Sequence, residues 1–261
     1  MRLRAEVLAT IRGFFAERGV TEVATPVLAP ATVTDPHIAS IEVPGYGYLQ
    51  TSPEYQMKRL LAAGAGDIYQ LGPVFRAEER GRLHNPEFFM LEWYRLGWDD
   101  RQLMDEVAAL VSRVLGDAEC TSQRFSDLVP AAAEDEDLAY AEACERLSGR
   151  CFVTHFPLVQ AALARAHADG DTAARFELIV DGVEIANGYH ELGDATELAE
   201  RFAEDNRQRR ALDRPEMVVD QAFLDAMAQG MPECAGVALG VDRLVMLKAG
   251  ATSLDEIIPF R

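Results

Sequence analysis

Hydrophobic positions near the start of the chain repeat with the period of a helix. Leu3, Val7, Leu8, Ile11, Phe14 and Phe15 share one stripe over residues 3–18, and Gly19 supplies a stop. Val20 to Val23 reads as a short strand before Pro26, and Ile41 to Gln50 alternates around Gly45 and Gly47 as a hairpin. Ser52-Pro53 marks a helix start, with Ser52 as N-cap and Pro53 at the first helical position, and the helix runs to about Ala63. Residues 67–76 and 88–96 predict two strands joined by a charged loop. A second long helix starts near Asp99, places Leu103, Val107, Leu110, Val114 and Leu115 on one face, and ends at Gly116.

The stretch 117–150 is rich in alanine and acidic residues and predicts one helix within a surface insertion. Beyond it the pattern predicts a strand at 151–155, a helix near 157–168 and a hairpin over 175–190 turning at Asp181-Gly182. Helices near 194–211 and 220–229 follow, then a strand, a helix opening at Gly240 and a short strand near Ile257. Hairpins interleaved with helices imply an α+β fold, a mainly antiparallel sheet flanked by helices. No Pro/Gly/Ser-rich linker divides the 261 residues and no repeat is visible, so a single domain over 1–261 is expected.

Composition narrows the function classes. The chain is 49% hydrophobic, but no apolar run reaches the roughly 20 residues of a membrane span. The opening Met1-Arg2-Leu3-Arg4-Ala5-Glu6 does not read as a signal peptide, so a cytoplasmic protein is expected. Cys120, Cys144, Cys151 and Cys234 form no C-x-x-C pair and no zinc spacing, which points to reduced structural thiols. Lys and Arg number 25 against 43 Asp and Glu, a net charge of −18. That balance argues against a large nucleic-acid footprint, which needs cations to neutralise phosphates.

Three segments carry candidate chemistry. In Phe75-Arg76-Ala77-Glu78-Glu79-Arg80-Gly81-Arg82-Leu83-His84-Asn85-Pro86-Glu87-Phe88, a strand delivers Arg76 and Glu78 to one face before a loop rich in Arg and His. Cations so clustered can clamp a polyphosphate beside a stacking aromatic; an exposed charged hairpin would read the same way. In Gly236-Val237-Ala238-Leu239-Gly240-Val241-Asp242-Arg243, Gly240 opens a helix whose N-terminus favours anions. Arg243, in its first apolar turn, needs an anionic partner, either phosphate or carboxylate. In Val183-Glu184-Ile185-Ala186-Asn187-Gly188-Tyr189-His190-Glu191, Glu184 and Glu191 are hard oxygen donors suited to magnesium, although an edge-strand glutamate facing water is an equal reading of Glu184.

These segments resemble, in order, motifs 2, 3 and the metal-side strand of class II aminoacyl-tRNA synthetase catalytic domains. Arg18-Gly19-Val20-Thr21-Glu22-Val23-Ala24-Thr25-Pro26-Val27-Leu28 resembles motif 1. Each motif alone is degenerate; three in order are specific. Thr51-Ser52-Pro53-Glu54-Tyr55-Gln56-Met57-Lys58-Arg59-Leu60-Leu61, His84-Asn85-Pro86-Glu87-Phe88 and Met90-Leu91-Glu92-Trp93-Tyr94 narrow the likeness to the lysyl branch. Ala31-Thr32-Val33-Thr34-Asp35, Glu92-Trp93-Tyr94-Arg95 and Gly236 to Arg243 narrow it to the paralogues that modify elongation factor P. The likeness spans nearly the whole chain and weakens at 117–150, where this chain is shorter. Only 17 residues precede Arg18, so no anticodon-binding domain is expected.

The resemblance implies an ATP- and Mg2+-dependent ligase that activates a lysine-type amino acid, with (R)-β-lysine expected, as its adenylate. Elongation factor P is the implied acceptor protein and tRNA an unlikely one; an enzyme charging tRNA or another acceptor is the alternative. A homodimer is implied through the motif 1-like helix. By resemblance Arg76 binds the α-phosphate, Ala77 and Glu78 lie by the adenine, His84 or Arg82 faces the outer phosphates, Asn85 faces the nucleotide and Phe88 stacks on the base. Ile185 and Gly240 border the nucleotide, Arg243 covers the triphosphate, and Glu184 and Glu191 hold magnesium. Ser52, Pro53, Glu54, Tyr94, Glu191 and Ala238 form the amino-acid pocket, with Glu191 and Tyr94 at the ε-ammonium. Two positions depart from the lysyl-tRNA synthetase pattern: Ala77 stands where Asn is common, and Ala238 where that branch has glycine. One methyl there changes the fit by roughly 1–3 kcal/mol.

Overall fold

Phe14 and Phe15 fix the first helix against the sheet, because both are almost completely buried. A computed structural model describes residues 1–168 and 170–260. Its helices are α1 (Arg2–Ala16), α2 (Glu54–Ala62), α3 (Asp100–Leu115), α4 (Phe125–Leu128), α5 (Glu136–Glu145), α6 (Ala195–Ala211), α7 (Gln221–Gln229) and α8 (Val241–Ala249). Its strands are β1 (Thr21–Glu22), β2 (Leu28–Ala29), β3 (Glu42–Val43), β4 (Gly47–Leu49), β5 (Ile68–Phe75), β6 (Glu87–Leu96), β7 (Cys120–Arg124), β8 (Arg150–Pro157), β9 (Thr172–Val180), β10 (Val183–His190) and β11 (Cys234–Gly240).

Among the described residues eight strands form one sheet, in the order β1-β5-β6-β11-β10-β9-β8-β7. The outer pairs β1–β5 and β7–β8 are parallel and the rest antiparallel. One face carries α1, α3 and α8, whose Ile11, Phe15, Val107, Leu110 and Leu244 join Trp93, Val237 and Leu239 in the main core. On another side Tyr55 of α2 packs with Leu198 and Phe202 of α6 and Phe223 of α7. Tyr55 stacks on Phe223 with ring centroids 4.3 Å apart.

The helices expected over 3–18 and from Asp99 form where the periodicity places them. Asp99 closes a full capping box with Gln102 at the start of α3, which satisfies two otherwise unpaired N–H groups. Four expectations need correction. The helix expected at 157–168 is a single 3-10 turn, Leu158–Gln160. A helix there would gain little, since Val159 is 89% exposed and Ala162 turns to a φ of +48°. The strand expected near Ile257 is likewise a 3-10 turn, Leu254–Glu256, closed by a Ser253–Glu256 capping box. α2 begins at Glu54, with Pro53 rather than Ser52 as its cap residue. The 117–150 stretch is more than a surface insertion: β7 extends the main sheet, and Phe125 of α4 packs on Phe156 of β8.

Candidate active site

Period-2 alternation sorts the central strands into a core face and a cavity face. On β6, Leu91 and Trp93 enter the main core while Met90, Glu92 and Tyr94 line a cavity of about 380 Å3. On β11, Ala235 and Leu239 go to the core and Gly236, Ala238 and Gly240 to the cavity. Register sets their neighbours: Ala238 lies between Glu92 of β6 and Asn187 of β10, and Gly236 between Tyr94 and Tyr189. A Cβ on Gly236 would collide with Tyr94 and with Glu191 Oε1, so only glycine leaves room for both side chains.

The deep end of the cavity is a buried charge cluster. Lys58, at 0% exposure, donates to Glu54 Oε1 at 2.6 Å. Its Nζ also lies 2.6 Å from Glu191 Oε2, an ion pair outside hydrogen-bond geometry, so that Oε2 keeps no hydrogen-bond partner. Glu92 accepts from Ser52 Oγ and from the Tyr94 hydroxyl, both at 2.6 Å. Burial, reinforced by the negative charge of Glu54, lifts Glu92 to about 7. Burial also lifts Glu191 to about 8, against the pull of Lys58. Lys58 itself stays firmly protonated: burial opposes its charge, but Glu191 and Glu54 outweigh burial.

The open end is a cationic clamp. Arg243, from the first turn of α8, donates through Nη1 to Glu184 O at 2.9 Å and through Nε to Leu83 O at 3.2 Å. Its Nη2 lies 2.8 Å from His84 Nε2. Burial and then the Arg243 charge hold His84 below the usual imidazole range, so its Nε2 acts as an acceptor. Arg76 donates to Thr51 O at 3.3 Å and lies 5.2 Å from the centroid of the Phe88 ring. The cavity thus joins a cationic, aromatic-flanked mouth to an anionic floor, a shape for a polyphosphate nucleotide beside a molecule bearing ammonium groups.

The whole chain, residues 1–261, matches the family described as tRNA synthetases class II (D, K and N). The chain belongs to the class II aminoacyl-tRNA synthetase family. It is 46% identical to proteins named elongation factor P--(R)-beta-lysine ligase from Salmonella paratyphi B, Salmonella heidelberg and Salmonella typhimurium, over 98% of this chain and 93% of each relative. The alignments run over 302 positions, at least 41 more than the 261 residues of this chain, so those relatives carry internal sequence that it lacks.

Within this synthetase fold, most of the residues singled out from sequence come together. Ser52, Glu54, Tyr94, Glu191 and Ala238 line the deep end, and Arg76, His84, Asn85, Phe88, Glu184, Ile185, Gly240 and Arg243 line the rest. Pro53, Ala77 and Glu78 stand outside the cavity wall. Glu78 instead pairs with Arg214 at 3.1 Å and is 66% exposed. Asn85 donates to the Glu87 carbonyl, which shapes the loop. The two carboxylates expected to hold magnesium both line this cavity, toward different ends. Glu184 and Glu191 sit seven residues apart along β10 and its end, roughly 20 Å at strand rise. Glu191 is tied to Lys58 while Glu184 faces Arg243. The carboxylate that does sense Glu184 is Glu177 on β9, whose acidity burial weakens first and the charge of Glu184 second. Among the described residues no group of three or more His, Cys, Asp or Glu is arranged to hold a metal by itself.

Lys58, Glu92 and Glu177 had no role in the sequence reading. Each left a signal: Glu92 lies between Leu91 and Trp93, Glu177 between Phe176 and Leu178, and Lys58 one helical turn after Glu54 beside Met57. A charge between core residues on a strand points to the opposite face: for Glu92 that face is the cavity, whereas Glu177 is held by Arg175 and Tyr140 behind the cavity wall.

Proposed function

We propose that this chain uses ATP and magnesium to activate a lysine-type amino acid, (R)-β-lysine in preference to α-lysine, and transfers it to a lysine side chain of elongation factor P. The observation that carries this reading is the cluster of buried Glu92 and Glu191 with half-buried Glu54 at the far end of a cavity whose mouth is lined by Arg76 and Arg243. An amino acid with two ammonium groups would lay both against the carboxylates and direct its own carboxylate toward the arginines. The names of the relatives supply the acceptor.

In the first step a carboxylate oxygen of the amino acid attacks the α-phosphorus of ATP. A P–O bond to pyrophosphate breaks and the acyl adenylate forms; the carboxylate is already ionised, so no general base is required. Arg76 would stabilise charge on the α-phosphate and Arg243 charge on the leaving pyrophosphate. Phe88 would stack on the base. In the second step a neutral lysine amine of the acceptor attacks the acyl carbon, AMP leaves, and the amine proton passes to solvent or phosphate. Glu184, which lines the cavity mouth, would hold magnesium together with the substrate phosphates. The unpartnered, buried Asn187 Oδ1 opposite Glu177 fits an oxygen-donor role there. The metal would neutralise phosphate charge.

The four free cysteines suit a reducing cytoplasm, and among the described residues no helix is long and apolar enough to cross a membrane. A homodimer remains part of the reading, but not through the apolar stripe of α1. Val7, Ile11, Phe14 and Phe15 are spent in the chain's own core. Sedimentation at micromolar concentration tests it, and a monomer would remove it.

The test of the function is pyrophosphate exchange with β-lysine and α-lysine, followed by acylation of elongation factor P against lysine tRNA. Exchange with neither lysine sinks the reading. Exchange followed by loading of tRNA alone would replace the acceptor, a result that the net charge of −18 argues against.

A further inference from the structure

The deep pocket contains a charge that the chemistry of activation does not use. Lys58 sits at 0% exposure between Glu54 and Glu191, with Nζ 2.6 Å from an oxygen of each. It is a protein ammonium standing against two of the carboxylates that a lysine-type substrate would seek. A lysine buried so completely is costly unless paired, and an empty apolar position there would fold more cheaply. Removing Lys58 from the count would leave three carboxylates, Glu54, Glu92 and Glu191, in one pocket.

We propose that Lys58 is a specificity-determining residue: its buried ammonium cancels one of the three pocket carboxylates, leaving two negative charges that match a substrate with two ammonium groups. This rests on the function proposed above and deepens it. The remaining groups facing the cluster do not change the count. Tyr94 of β6 and Tyr189 of β10 are neutral, because burial raises both phenols. Arg175 and Glu177 of β9 cancel each other through a contact of 2.5 Å. Burial keeps Cys234 of β11 a thiol. In the empty pocket burial raises both Glu92 and Glu191, and the negative charge of Glu54 adds to it, so protons relieve part of the excess charge. A diammonium substrate displaces those protons. A monoammonium analogue leaves one carboxylate to be protonated or uncompensated. Glu191 Oε2 is paired with Lys58 while Glu191 as a whole lines the cavity, so the same carboxylate can face both ammonium groups.

Lys58→Met keeps the length of the side chain and removes the charge. In pyrophosphate exchange the kcat/KM of the unaltered protein for β-lysine rises with pH through about 7 to 8, the range of Glu92 and Glu191. In Lys58→Met that midpoint moves up by at least about one pH unit, the shift expected when an ammonium in contact is removed, and the change lies in KM rather than kcat. Lys58→Ala behaves alike and moves back toward the original midpoint when propylammonium is added. A raised KM at every pH with an unmoved midpoint makes Lys58 merely structural and overturns the proposal. Exchange with neither lysine, in any variant, sinks the function reading instead. Thermal shift on the unaltered protein tests the charge count independently of folding or activity of the variants. Cadaverine, with two ammonium groups, should protect at a concentration at least about tenfold below pentylamine, which has one. Equal protection by the two overturns the proposal.

Discussion

Replacing Arg243 by alanine separates catalysis from folding. Three protein groups hold its guanidinium: the Glu184 and Leu83 carbonyls and His84 Nε2, at 2.8–3.2 Å. The residue is only 20% exposed. In the proposed complex the same fork faces the triphosphate, and the charge it meets is greatest as pyrophosphate departs. A charge-assisted hydrogen bond contributes about 1.5–3 kcal/mol, so taking both prongs of the fork away from the transition state costs at least about 3 kcal/mol, a loss of more than roughly 100-fold in exchange rate. The cost to folding is smaller. The freed carbonyls face an open cavity where water replaces the donor, and the pair with the 45%-exposed Glu184 contributes at most about 1 kcal/mol. The melting temperature should therefore fall by only a few degrees. Arg243→Lys keeps the charge but not the fork and should lie between the two. Pyrophosphate exchange and thermal unfolding on the same preparations measure both effects. Exchange within a few-fold of normal in a folded Arg243→Ala protein refutes the clamp.

Ala238→Gly, which opens space between Glu92 and Asn187, should raise use of α-lysine relative to β-lysine by about tenfold in exchange; an unchanged ratio removes Ala238 from substrate selection. Gly236→Ala should abolish exchange, because its methyl would push Tyr94 and Glu191 out of place; full activity would show that the pocket can rearrange. The empty protein should lose stability as pH rises. Glu92 moves from an ordinary 4.5 to about 7 on folding, so its neutral form favours the fold below that range, and the benefit disappears as pH climbs through 7. The full effect, from below pH 4.5 to above pH 7, is about 3 kcal/mol; about 2 kcal/mol of it, a drop of roughly 4 °C, falls between pH 5.5 and 8.5, and saturating β-lysine should reduce it. A melting temperature that climbs over that range without ligand would mean that Glu92 is already ionised in the folded protein.

Helices with a strong apolar stripe and a clean start, α1 and α3 above all, were legible because periodicity and capping pointed the same way. Segment 157–168 misled because its alanines favour helix in isolation, while the fold uses Phe156 and Ala164 to line a core and leaves Val159 in water. Ser52 misled for a related reason. It does accept the Glu54 N–H at 3.1 Å, but its hydroxyl proton is drawn to Glu92, so the side chain serves the pocket as well as the helix start. Glu78 lies on the expected segment, yet its side chain turns to Arg214, a partner 136 residues away that no local pattern reveals.

The spacing of Glu184 and Glu191, the pair expected to hold magnesium, explains the layout of the site. Residues 184 and 191 differ by an odd number, so on a regular strand they would face opposite sides of the sheet. A register shift between Glu184 and Ala186 adds the extra residue that brings both to the cavity. What the bulge cannot do is bring them close. β10 keeps Glu184 beside Arg243 at the mouth, Asn187 in the middle beside Ala238, and Glu191 beside Lys58 on the floor. The strand therefore works as a ruler. In the proposed complex a nucleotide phosphate at one end and an ammonium at the other would be joined by a molecule spanning the distance between. That demand on length would favour the proposed long diamino acid over a short one.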